Sequence, residues 1–152
     1  MMRGKFSLGL LLATAPALIG AAPVAMQPED IVAGRRAAYF LSGAVMSEMQ
    51  SATAGEGTVK NQAFAAQALA RWARTLPAMF PAGSLVAGSH ADARVWSQRA
   101  DFEAKAKDYA DAAQMLAQIA QTDDKAAFTA QLATLRTKCA ACHQTYLVKP
   151  PS

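Results

Sequence analysis

Cys139-Ala-Ala-Cys142-His143 gathers both of the chain's cysteines and one of its two histidines into five consecutive positions. Four chemistries use residues of these types at such spacing. A redox dithiol acts through a thiolate and wants its first cysteine at a helix N-terminus, where free N–H groups lower the thiol pKa. A zinc site needs a fourth ligand, and His90 is the one good candidate left. A structural disulfide would account for the thiols and leave the histidine without a role. C-x-x-C-H is also the attachment signature of c-type haem: two thiols add to the porphyrin vinyl groups and the next residue brings an imidazole under the iron.

The elements around the motif bear on this choice. Four stretches show helical periodicity, and no strand alternation competes with them. The first is expected over about 28–52, with Pro28 in its first turn, Glu29 and Asp30 at the positive end of its dipole, and "TAGEG" ending it. The second is expected over about 58–76, burying Val59, Ala63, Ala66, Leu69, Ala73 and Leu76 and stopping at Pro77. After a Gly- and Pro-containing loop, a third is expected over about 93–121 with Phe102, Ala106, Tyr109, Ala113 and Leu116 inward. The fourth is expected from an N-cap at Thr122, with the stripe Phe128, Leu132, Leu135, Cys139, Cys142, Tyr146. Short connections between long helices predict an all-α antiparallel four-helix bundle. Cys139 then lies deep in the last helix, far from the N-terminus a redox dithiol prefers, and the bundle would carry its cofactor near the C-terminus.

The compartment points the same way. Residues 1–25 read as a signal peptide, with Arg3 and Lys5 before the apolar run Phe6–Ile19, too short for a membrane span. Cleavage is expected between about residues 21 and 25, leaving 26–152 as one domain with 13 basic and 11 acidic side chains, a net charge of +2 against the whole chain's +4. No basic cluster remains that would argue for nucleic acid, and no stable membrane insertion is expected. An exported chain meets oxidising conditions, in which two free thiols would not stay free. Export, the lone cysteine pair and the seam position agree on covalent haem c.

The opposite side of the iron would come from the first helix. Arg35 and Tyr39 are i and i+4, one above the other on one face. Met46, two turns beyond Tyr39 on that face, is the rival sixth ligand, and Met49 and Met26 are weaker ones. Ordinary core and surface positions explain the same spacings. His90 reads as a solvated loop residue.

The stretches "PEDIVAGRRAAYFLSGAVM", "ARVWSQRADF" and "CAACHQTY" resemble the cytochrome c′ family, the class II c-type cytochromes. The resemblance spans the whole of 26–152. It implies a four-helix bundle with thioethers at Cys139 and Cys142, His143 as proximal ligand, Arg35 on a haem propionate and Tyr39 in the distal pocket. It further implies a periplasmic protein that is not an enzyme, with a five-coordinate iron that binds NO or CO and cycles by one electron. An unidentified redox partner and a homodimer through the first two helices belong to the same expectation. The alternative is a low-spin electron carrier of the same class, with Met46 on the iron. Leu147 departs from the arginine that many members carry just after the Tyr of this run, with Lys149 two residues on.

Overall fold

The computed structural model describes residues 26–148, so the expected signal peptide and Lys149 lie outside the described residues. Helix α1 spans Pro28–Ala54, α2 Ala63–Thr75, α3 Arg94–Ser97, α4 Arg99–Thr122 and α5 Lys125–Tyr146. Four of these, α1, α2, α4 and α5, form the bundle, and α3 is a one-turn lead into α4. Short 3₁₀ turns, Lys60–Gln62 and Leu76–Met79, flank α2.

The expected bundle is present, with several boundaries displaced: α2 begins at Ala63, after the 3₁₀ turn, and not near residue 58. The third expected helix is two, because Gln98 at φ −116°, ψ 43° leaves helical geometry between α3 and α4. Thr122 ends α4 and does not cap α5. Asp123, in the left-handed region at φ 59°, reverses the chain, and Asp124 caps α5 by accepting the Ala127 N–H at 2.9 Å.

Nine residues of α4 are buried, Phe102 to Ala120, alanines prominent among them, whereas α1 buries Val32, Arg35 and Met49. Small side chains let α2 and α5 close on α4, and these are the main packing pairs of the bundle; α1 meets α2 and α5 at few places. The expected apolar stripe of α5 faces inward throughout, buried at Phe128, Leu132, Leu135 and Tyr146 and half-buried at both cysteines. The loop after α2 is sewn to the end of α5. Ala91 and Leu147 form an antiparallel bridge, the Asp92 N–H donates to Tyr146 O at 2.9 Å, and the Val148 N–H donates to His90 O at 2.8 Å. This leaves a wedge-shaped space between α1 and the α4–α5 pair.

Candidate haem-binding site

Helix α5 presents Cys139, Cys142 and His143 on one face, and all three line a cavity of about 540 Å³ in that wedge. The volume lies within the roughly 300–1,000 Å³ of small-molecule and cofactor sites. The opposite wall is α1, through Arg35, Tyr39 and Met46; α4 contributes Phe102, Ala106 and Tyr109, and the loop contributes Phe80 and His90.

No disulfide joins Cys139 and Cys142. Burial raises the pKa of each, Cys142 to about 11 with the neighbouring Cys139 adding to the effect. A dithiol enzyme needs the reverse, an exposed thiol with a lowered pKa. No group of three or more metal-binding side chains occurs among the described residues, so the zinc reading has no ligand set. His143 is exposed to the cavity, yet the surrounding protein desolvates it enough to lower its pKa. Its imidazole is therefore neutral near pH 7, the form that ligates a metal.

Tyr39 faces this wall. Its ring centroid lies 6.4 Å from that of His143 at an interplanar angle of 72°, and Trp72 of α2 packs edge-on at 5.6 Å and 88°. Burial, with smaller contributions from Cys142, Tyr109 and Cys139, holds the Tyr39 pKa well above the ordinary tyrosine value. The ring is a neutral phenol at any physiological pH.

Arg35 is 3% exposed. One terminal nitrogen donates to Met79 O at 3.1 Å and Ser84 Oγ at 3.3 Å, the other to Ser84 O at 3.4 Å and Ser89 Oγ at 2.6 Å. The guanidinium also sits 4.1 Å over the Phe80 ring. None of the acceptors is a carboxylate. A buried cation held by neutral partners on a cavity wall is a site for an anionic group, because nothing nearby neutralises it.

Met46 is half-buried and lines the same cavity, so both sixth-position candidates face it. Met49 is fully buried in the core and Met26 is exposed at 69%; neither lines the cavity. His90 is exposed, as its loop position suggested, and stands on the cavity rim. Leu147 is 42% exposed at the rim, an apolar side chain beside the histidine wall. Sequence reasoning missed Trp72, Phe80, Ser84 and Ser89. Ser84 is buried to 1% and its hydroxyl, 2.9 Å from Pro81 O, braces the loop under Arg35. The available signal was the loop's glycines, Gly83 and Gly88, both at positive φ, which fold it back toward α1.

These donors fit a haem. Two thiols at i and i+3 with a neutral imidazole next to the second, an apolar cavity and a buried, uncompensated guanidinium match a flat apolar ring with an iron and carboxylates.

Comparison with known proteins agrees. The family described as Cytochrome C' matches residues 30–147. A cytochrome c' of Pararhodospirillum photometricum is 37% identical over 121 residues, covering 78% of this chain and 97% of that protein. In fold, the chain is similar to a cytochrome c' of known structure with a ligand-controlled dimer dissociation, with a TM-score of 0.77, 23% identity and coverage of 83% and 100%. The nitric oxide complex of a variant cytochrome c prime from Alcaligenes xylosoxidans gives a TM-score of 0.75, 24% identity and coverage of 82% and 98%. The chain belongs to the cytochrome c′ family, whose proteins carry covalently bound haem c.

Proposed function

We propose that the protein is an exported, periplasmic cytochrome c′ that binds NO or CO at a five-coordinate iron and cycles by one electron, without catalytic turnover. Cys139 and Cys142 form the thioether bonds, His143 is the proximal ligand, Tyr39 covers the distal side and Arg35 neutralises a propionate. The observation carrying this reading is that His143 of α5 and Tyr39 of α1 line one apolar cavity and meet edge to face, 6.4 Å between ring centroids, so that a haem held by His143 would enter directly against a neutral phenol. A neutral phenol is a weak iron ligand, so the position facing His143 is open to a small uncharged molecule. The haem supplies the metal that holds the gas; the chain excludes water and bulky anions, and keeps the imidazole unprotonated.

Export is supported by the residue 1–25 pattern, and no helix among the described residues is long and apolar enough to cross a membrane. A homodimer is supported by exposed apolar side chains on the first two helices, Phe40 at 77%, Leu41 at 68% and Phe64 at 83%. It is supported too by the dimeric relative noted above. The redox partner is a separate, unidentified protein.

Met46 favours a second reading, since its thioether lines the same cavity. With Met46 on the iron the protein would be a low-spin electron carrier of higher potential. Absorption spectra of holoprotein, reduced with and without CO, separate the two. A broad high-spin spectrum that sharpens under CO supports the open site. Split low-spin bands insensitive to CO give the iron to Met46, and no Soret band after competent maturation would sink both.

A further inference from the structure

Three tyrosines line the cavity, and each phenol meets a different chemistry. Tyr39 is buried beside the two thiols, Arg35 and Tyr109, with no carboxylate acting on it. Tyr109 shares a hydrogen bond with the Ser42 hydroxyl, which takes up no proton near neutral pH. Tyr146 meets a base. Its Oη donates to Asp101 Oδ2 at 2.5 Å, a distance typical of a hydroxyl on a carboxylate. Lys105 Nζ bonds the other oxygen, Oδ1, at 2.9 Å. These two hydrogen bonds hold the Asp101 pKa below the ordinary carboxylate value, so the group is ionised at neutral pH.

The pair crosses the wall of the site. Tyr146 is 4% exposed and stands three residues beyond His143, on the same face of α5. Its ring is fixed edge-on against Phe102 of α4, 5.3 Å between centroids at 86°, and its backbone oxygen is held by the Asp92 N–H. The Asp101 side chain is 51% exposed. A proton arriving on that carboxylate has a way out to water while the phenol ring stays inside. A clamp between α4 and α5 would need the hydrogen bond alone. It would need neither a ring in the cavity wall nor a carboxylate in solvent.

Resting on the haem reading above, and not on gas binding, we propose that Tyr146 and Asp101 relieve oxidation of the site by hydrogen peroxide. Tyr146 supplies an electron and Asp101 takes the phenolic proton. Reducing one peroxide to two waters breaks the O–O bond and consumes two electrons and two protons. A ferrous iron gives one electron and becomes ferric. Tyr146 gives the other and becomes a neutral phenoxyl radical. Its proton moves to Asp101, and solvent supplies the two protons that complete the waters. A tyrosine yields an electron readily when a positioned base takes its proton, and among the three phenols that condition is met at Tyr146. The second oxidising equivalent is thereby kept from the porphyrin and from the Met46 thioether, which lines the same cavity and is open to sulfoxide formation.

The test treats ferrous holoprotein with hydrogen peroxide and freezes it for electron paramagnetic resonance, with a nitroso spin trap mapped by peptide mass spectrometry in parallel. The wild type should give a phenoxyl signal and carry the trap on Tyr146. Tyr146→Phe keeps the ring and removes the oxidisable hydroxyl, so the signal should be lost, while Met46 sulfoxide and bleaching of the Soret band should both rise. In Asp101→Asn the radical should form about a hundredfold more slowly, the weight of one positioned proton acceptor. A phenoxyl signal that survives Tyr146→Phe, or a trap carried elsewhere, overturns the assignment. A radical formed as fast in Asp101→Asn as in the wild type overturns the proton transfer. A wild type that gives no protein radical overturns the proposal and leaves the haem reading, seen in the Soret band, standing. A chain without a Soret band overturns both. If the variants fail to fold, the trap position on the wild type decides alone.

Discussion

Arg35 shows what a single position can and cannot disclose. Its spacing from Tyr39 is local, so the pair could be read on one face of a helix, just as Cys139, Cys142 and His143 could be read from a five-residue motif. Its partners could not, because Met79, Ser84 and Ser89 lie 44 to 54 residues along the chain and only the folded loop brings them together. Trp72 was illegible for the same reason, since its value comes from a ring contact with another helix. A guanidinium 3% exposed, with both terminal nitrogens bonded, anchors that loop to α1. Arg35→Ala should lower unfolding free energy by about 3 kcal/mol in urea denaturation, because buried carbonyl and hydroxyl acceptors lose their donor. Arg35→Lys should recover less than half, as an ammonium lacks the planar fork that reaches both serines. A loss below about 0.5 kcal/mol in Arg35→Ala would mean that water satisfies those acceptors and that the loop holds itself.

Helices were legible where periodicity ran long, and their ends were not. The α5 stripe was readable over five turns, yet its cap moved from Thr122 to Asp124. The reason is that Asp123 adopts a left-handed backbone whose stabilising contacts, the Thr58 hydroxyl and the Lys60 N–H, come from the α1–α2 connection. The bridge between residues 90–92 and the end of α5 was equally invisible, since it pairs backbone with backbone. Asp92 secures that junction. Its N–H holds Tyr146 O, and its carboxylate accepts the Arg94 backbone and side chain at 2.9 Å. The hydrogen bonds from Arg94 hold its pKa down to about 2, below the ordinary carboxylate value of 3.8. A lowered folded-state pKa means the folded protein binds fewer protons than the unfolded chain, so the contribution is present above about pH 4 and fades as pH falls toward 2. Asp92→Asn should therefore unfold at lower urea than the wild type at pH 6, and the gap should narrow by pH 2. A gap unchanged across that range would assign the effect to the backbone junction and not to the charge.

Across the whole molecule, packing is uneven in a way that matches the site. Nine buried residues bind the 24-residue α4 into the bundle, whereas the 27-residue α1 buries three, one of them Arg35. The difference follows from composition. Alanines let α2 and α5 close on α4, but α1 lines a cavity of about 540 Å³ with Tyr39 and Met46, which are only partly buried against the core. A cofactor filling that space would give α1 the packing partner the rest of the chain does not supply. Helices with few buried apolar contacts open at low free energy, so α1 should be the element most sensitive to the cofactor. Amide hydrogen exchange on the same chain, made with and without the c-type maturation system, should show this. Without haem, the amides of residues 28–54 should exchange much faster than in the holoprotein, while those of α2, α4 and the first half of α5 keep most of their protection. Leu41, 68% exposed on α1 and not part of the cavity lining, should not rescue it. Were α1 as protected as α4 in the haem-free chain, the cavity would be a preformed container supported by the loop and Arg35 alone. Loss of protection confined to α1 would instead make the haem the fourth side of the bundle's core, with the distal residues set in place only once it is bound.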